Sequence, residues 1–409
     1  MRTTTSRRAA TGAYAGMVVV AGGSMVVFPL FPALQDRLGL STAALGLVAA
    51  AGFLAALVVE LTLAPQADRG HGRSMAVVAA LLVAASLAWS AVAAEAWQLV
   101  AARALGGAGL GLFSPAAAGL LIRRAPERSG EALGRLSTAE LGGLAVGPML
   151  AAVALRWTEP GTVFAGAAAV SAVTAVVVGV LLGGEQRPAP GHRPPALAFD
   201  LLRHRRVLGA VLLAVAVMVP VGAYDAIWPR YLADLGADPL LIGLSYLLFA
   251  LPFMVVAAPA GRLADRVGGP VAFTRGTAVL VPFIALYAVV TDPWVATVAG
   301  VAESTVQALA LVGAVATMAQ AVDPSRAGSG QGLARAAGLV AATAVAAASG
   351  AVYALGGPLL LFLGTAVAVV LVSLAAWPLL RRGRTAPDGV RAVPAATAGP
   401  AVARAERSR

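Results

Sequence analysis

The chain has 409 residues, 59% of them hydrophobic and 12% charged, with a mean hydropathy of +0.84 and a formal net charge of +11. Water-soluble domains are nearer 45 to 50% apolar and about 25% charged, so this composition excludes a soluble enzyme or a disordered chain and fits a multi-pass membrane protein. All 30 basic residues are arginine and cysteine is absent, which excludes a P-loop ATP site, a lysine Schiff base, a thiol nucleophile and a thiolate metal site.

A membrane span takes roughly 20 mostly apolar residues. By that rule the sequence predicts twelve, over 13–35, 41–66, 75–94, 97–121, 136–157, 161–182, 207–231, 239–263, 271–291, 293–318, 329–350 and 357–380. The first run follows Arg2, Arg7 and Arg8 as a signal peptide would, but it is too long for one and eleven more runs follow, so it is predicted to be retained. Between the sixth and seventh spans, 183–206 carries four prolines and five arginines. The expected organisation is a cytoplasmic N-terminal segment (1–12), a six-helix half (13–182), a cytoplasmic central loop (183–206), a second six-helix half (207–380) and a disordered cytoplasmic tail (381–409). His71, His192 and His204 all fall in polar segments, so no metal site or cofactor is expected.

Arginine placement sets the orientation. With both termini cytoplasmic, 26 arginines lie in inner segments, three (Arg37, Arg156, Arg230) in outer loops, and Arg103 inside a span. This predicts an inner (plasma) membrane protein whose basic surplus faces anionic lipid and not nucleic acid.

A shift of 197 residues superposes Pro32 on Pro229, Gly39 on Gly236, Gly46 on Gly243, Asp68 on Asp265, Arg69 on Arg266 and Gly72 on Gly269. Six spans per copy is an even number, so the two copies share one orientation, as in a parallel repeat about the membrane normal with a substrate path between the halves. The loop after the second span contains Asp68, Arg69, Gly72 and Arg73, and the one after the eighth reads Gly261-Arg-Leu-Ala-Asp265-Arg266-Val-Gly268. These resemble the duplicated Gly-x-Leu-Ala-Asp-Arg-x-Gly loop of the major facilitator superfamily, with Ala64 replacing the leading glycine of the first copy. The resemblance implies an all-α membrane protein with twelve transmembrane helices in two pseudo-symmetric halves, a transporter and not an enzyme. It also implies that these loops latch the halves at the cytoplasmic side. An aspartate at a helix C-terminus opposes the macrodipole, so Asp68 and Asp265 are expected to need a partner: Arg69, Arg73, Arg266 or a neighbouring helix N-terminus.

Five charges within spans are candidates for function: Glu60, Arg103, Glu140, Asp225 and Glu303. Burying a charge at mid-membrane costs roughly 2.5 to 3.5 kcal/mol on insertion scales and usually marks an aqueous cavity or a partner. In the resembled family spans one, four, seven and ten line the cavity, which places Arg103, Asp225 and Glu303 there. They are expected to form an electrostatic cluster that exchanges a proton near physiological pH, with Glu60 and Glu140 closer to the cytoplasmic end. Span four runs Arg103-Ala-Leu-Gly106-Gly107, similar to a family motif associated with proton coupling. Span five carries Gly143, Gly147 and Pro148, similar to the Gly-x-x-x-Gly-Pro signature of proton-exchanging exporters. Ala151 and Ala152 stand where that signature has glycines.

Phe28, Phe31, Phe113, Tyr224, Trp228 and Phe249 are the aromatics expected to contact a planar or cationic amphiphile. The function expected is a monomeric proton-coupled antiporter that exports small amphipathic drugs or metabolites, its partners being substrate, protons and membrane lipid. The alternatives are a symporter importing a nutrient and a non-transporting membrane sensor.

Overall fold

A transmembrane segment has no water to satisfy its backbone, so apolar runs of this length fold as helices. In a computed structural model describing residues 2–124, 126–183, 198–323 and 326–381, every regular element among the described residues is helical. In chain order the spans are α1 (Arg8–Leu38), α2 (Thr42–Gln66), α3 (Gly72–Val92), α4 (Ala96–Arg124), α5 (Ser129–Ala154), α6 (Pro160–Leu181), α7 (Arg205–Asp234), α8 (Pro239–Val267), α9 (Gly269–Leu286) and α10 (Pro293–Ala321). The last helix, Ala327–Arg381, has 55 residues. At 1.5 Å per residue it would run about 80 Å, far beyond the roughly 30 Å of hydrocarbon. It breaks at Gly356 (φ −140°) and Gly357 (φ 60°), which divides it into α11 (327–355) and α12 (358–381) and brings the crossings to twelve.

Local signals set the helix ends. Pro160, Pro239 and Pro293 occupy the first helical turn, where a missing N–H costs nothing. Asp238 and Asp292 cap α8 and α10, their side chains accepting from Leu241 N at 2.8 Å and from Trp294 N and Val295 N at 2.8 and 2.9 Å. The loops joining α2 to α3 and α8 to α9 lie on one face of the bundle, which also carries most of the described loop arginines and is called the arginine-rich face below.

The 197-residue repeat marks equivalent places in the structure. Gly39 (φ 61°) and Gly236 (φ 91°) both turn the chain after a helix in the left-handed region that glycine favours. Gly46 and Gly243 both sit where the halves touch: a Cβ on Gly46 would lie 2.5 Å from the Ala346 carbonyl of α11, and one on Gly243 would lie 2.5 Å from Ala152 Cβ of α5. The two halves therefore meet along two related seams, α2 on α11 and α5 on α8. A turn at Phe199–Arg203 is fastened to the second half by buried Leu201 and by the Arg326–Asp200 pair, at 2.5 and 2.9 Å. Arg326 holds the Asp200 carboxyl below the usual carboxylate range. The tail beyond Arg381 and most of the central segment lie outside the described residues.

Candidate functional site

The charges predicted inside the membrane lie in layers of different depth. In the deepest, Arg103 is 7% exposed. It fits because Gly52 and Gly106 leave room beside it: a Cβ on Gly52 would lie 3.0 Å from the guanidinium carbon. Nη1 donates to the Ser24 carbonyl at 2.9 Å, and the guanidinium stands 5.2 Å from the Phe28 ring centroid. Asp225, on the opposite half, interacts electrostatically with Arg103 without a hydrogen bond between them. It is only partly buried. Tyr246 of α8 stacks on Phe28 of α1 at 5.8 Å and 27°, joining the halves beside this pair.

Glu303 is fully buried at 0% exposure. Both its oxygens are filled: Tyr224 Oη donates to Oε1 at 2.6 Å and Tyr287 Oη to Oε2 at 2.5 Å. Trp228, Tyr231 and Phe362 complete an aromatic shell, with Tyr231–Phe362 and Trp228–Tyr287 ring centroids 4.8 and 5.1 Å apart. Tyr231 Oη donates to the Tyr287 carbonyl at 2.9 Å, so the shell is hydrogen-bonded as well as packed. A buried carboxylate is tolerated when its acceptor sites are satisfied in this way. Tyr287 lies just past α9 and was not among the residues singled out from the sequence.

Nearer the arginine-rich face, Glu60 of α2 takes a bidentate pair from Arg335 of α11, Nε lying 2.9 Å from each carboxylate oxygen. Glu140 of α5 interacts electrostatically with both. Arg335 is therefore a seam residue and not a loop residue. Its position eight residues past Ala327, about 12 Å along the helix, was the signal that counting it with the loop arginines overlooked.

The bundle is closed at the opposite face. Arg230 links Gln35 (3.2 Å) to Asp234 (2.7 Å), and Tyr353 Oη donates to Asp234 at 2.8 Å, tying α1, α7 and α11 together. Phe28, Phe31, Leu34 and Tyr231 behind this network are at most 1% exposed. The Arg335 side chain, by contrast, is 51% exposed, so the packing is looser toward the arginine-rich face.

Gly143, Gly147 and Pro148 lie where three helices meet. A Cβ on Gly143 would lie 2.9 Å from Ala21 Cβ and one on Gly147 would lie 2.6 Å from Gly22 Cα, both on α1, while the Pro148 carbonyl faces Gly243 of α8. The aromatics predicted for ligand contact divide. Phe28, Phe31 and Phe113 are 0 to 1% exposed in the core of the first half and offer no open surface in this conformation. Tyr224, Trp228 and Phe249 stand around Glu303 and Gly300.

The duplicated loops engage differently from expectation. Arg73 Nε donates to the Gly179 carbonyl at 2.8 Å and Arg123 Nη1 to the Ala67 carbonyl at 2.9 Å, so both cap helix ends within the first half. The Asp68 side chain lies outside the described residues. Arg69, Asp265 and Arg266 are exposed, a Cβ on Gly261 would meet nothing within 4 Å, and among the described residues no hydrogen bond or ion pair joins these loops across the halves.

Twelve helices in two repeated halves that meet along a charged seam define a class of membrane protein. The chain belongs to the Major Facilitator Superfamily, whose sequence model matches residues 13–229 and again residues 210–407. It is 28% identical over 268 residues to the multidrug resistance protein MdtG of Proteus mirabilis, covering 62% of this chain and 66% of that protein. To MdtG of Serratia proteamaculans it is 28% identical over 276 residues, covering 63% of this chain and 65% of the relative. The matched region thus spans just under two thirds of the length of these relatives. Among solved structures, a variant of the nucleoside transporter NupG superposes with a TM-score of 0.77 at 12% identity, covering 92% of this chain and 99% of that one. A bacterial homolog of the human lysosomal transporter Spinster, inward-facing and unoccupied, superposes at 0.74 with 14% identity, covering 92% and 97%. At these identities the structural likeness speaks to the fold alone.

Proposed function

We propose that the chain is a secondary active transporter of the bacterial plasma membrane that exports small amphipathic molecules in exchange for protons. The observation that carries this reading is Asp225, a partly exposed carboxylate deep in the membrane, lying in the field of Arg103 across the seam. Arginine placement supports a cytoplasmic arginine-rich face. Protonating Asp225 cancels its attraction to Arg103. The halves then lose part of what holds them together at that depth, and a proton favours one facing state over the other, as coupling requires. Glu303, closed off by Tyr224 and Tyr287, organises the aromatic wall formed with Trp228 and Phe249, against which an amphiphile packs. The Gly143–Gly147–Pro148 seam and the multidrug relatives support export over import.

The test is dye and antibiotic accumulation in an efflux-deficient bacterium expressing the chain, with and without a protonophore. Reduced accumulation, restored by the protonophore and lost in Asp225→Asn, is expected. Protonophore-sensitive uptake would overturn the direction and make the chain a symporter. Protonophore-insensitive export would remove the proton from the mechanism.

A further inference from the structure

The two halves contribute charges to the seam in a reciprocal pattern. The first half supplies Arg103, Glu60 and Glu140, and the second supplies Arg335 and Asp225. Arg103 faces Asp225 of the other half, and Arg335 faces both carboxylates of the first. The two layers are in different states. Arg335 and Glu60 are joined at 2.9 Å, whereas Arg103 gives its hydrogen bond to Ser24 of its own half.

We infer that Glu60 and Glu140 form a second proton-accepting site, away from Asp225, and that Arg335 is its resident counter-cation. The α2–α11 seam is packed from Gly46 and Gly350 at one end to Glu60 and Arg335 at the other. Parting it at the arginine-rich end carries Arg335 away with the second half and leaves two carboxylates on the first. Among the described residues the charges acting on Glu140 are Arg335 and Glu60; Arg103 and Asp225 on α4 and α7 belong to the deep layer, and Arg123 of α4 is held at the Ala67 carbonyl. Two neighbouring carboxylates at membrane depth without a cation do not both stay ionised. Proton uptake therefore accompanies the opening of this seam, and low pH favours the open form. The inference rests on the two halves moving against each other and is independent of what is carried and of whether protons drive it.

The absence of native cysteine makes distance measurement direct. Spin labels on Leu63→Cys and Gly332→Cys, in lipid nanodiscs, report the α2–α11 separation near the arginine-rich face. In the otherwise native chain the short distance should dominate at pH 8, and a longer one should grow as pH falls to 5. Glu60→Gln should show the long distance across this range, its open-to-closed ratio at pH 8 raised about 5- to 150-fold, the ordinary span of such couplings. Exchanging the pair, Glu60→Arg with Arg335→Glu, should restore the short distance at pH 8. A distribution unchanged from pH 8 to 5 in the native pair overturns the inference without any seam variant having to fold. A Glu60→Gln protein that keeps the short distance at pH 8 overturns it as well. Pairing that behaves as stated in a chain that exports nothing would leave this site standing and remove only the transport reading.

Discussion

Gly147→Ala adds one methyl group at the point where α5 crosses α1. Its Cβ would lie 2.6 Å from Gly22 Cα and closer still to the Gly22 carbonyl oxygen, whereas carbon atoms rest about 3.5 to 4.0 Å apart. Backbone lines the contact, so no side-chain rotation relieves it and the helices must separate by about 1 Å. Overpacking of this kind costs typically 1 to 3 kcal/mol. Gly142 on the same helix is the internal control, because a Cβ there meets nothing within 4 Å. Gly142→Ala should gain about 0.5 to 1 kcal/mol from the backbone alone. The two variants should therefore differ by about 1.5 to 4 kcal/mol, with Gly147→Ala the less stable. Thermal unfolding of both, purified in one detergent and followed by intrinsic fluorescence and by recovery of monodisperse protein, measures the difference. Equal melting temperatures would show that α1 and α5 are not held at the described separation, and the close-packing account of Gly147 would fail.

Tyr287→Phe leaves one oxygen of a fully buried carboxylate without its donor. It should lower stability by about 1 to 3 kcal/mol, read as a lower melting temperature, with Glu303→Gln restoring part of the loss when combined with it. Asp225→Asn should abolish the protonophore-sensitive component of dye export while leaving expression and melting temperature near those of the parent, and full pH-gradient-dependent export in this variant would refute the proposed role. For the surface pair, Arg326 holds Asp200 below its unfolded value. The stabilising contribution is therefore present above the unfolded carboxylate value, about 3.9, and is lost as pH falls through the lower folded one. Hydrogen exchange of the Phe199–Arg203 turn should accelerate beyond its intrinsic rate change at pH 3 relative to pH 6, and in Asp200→Asn that excess should disappear.

Twelve crossings, the twofold repeat and the loops joining the spans are written in the sequence, because they depend on quantities read locally. Hydrocarbon thickness fixes the length of an apolar run. Pro160, Pro239 and Pro293 fix helix starts by their missing N–H, and Gly39 and Gly236 fix turns by their φ. Even the break at Gly356–Gly357, within the 55-residue stretch Ala327–Arg381, follows from the length that a bilayer allows. The candidate charges were equally legible, since an ionisable residue in an apolar run stands out wherever it falls.

What those charges face was not legible. Arg335 reads as one more topogenic arginine until α11 is laid against α2 and its guanidinium reaches Glu60, 275 positions away in the chain. Tyr287, just past the end of α9, reaches Glu303 only because α9 packs on α10. Phe28, Phe31 and Phe113 have the composition of a binding site and the burial of a core, a distinction that hydropathy cannot make. The sequence determines which segments enter the membrane, because transfer free energy is summed residue by residue along the chain. Pairing across the seam is decided only in the tertiary structure, because a Coulomb or hydrogen-bond energy depends on separations between atoms that the chain order leaves open.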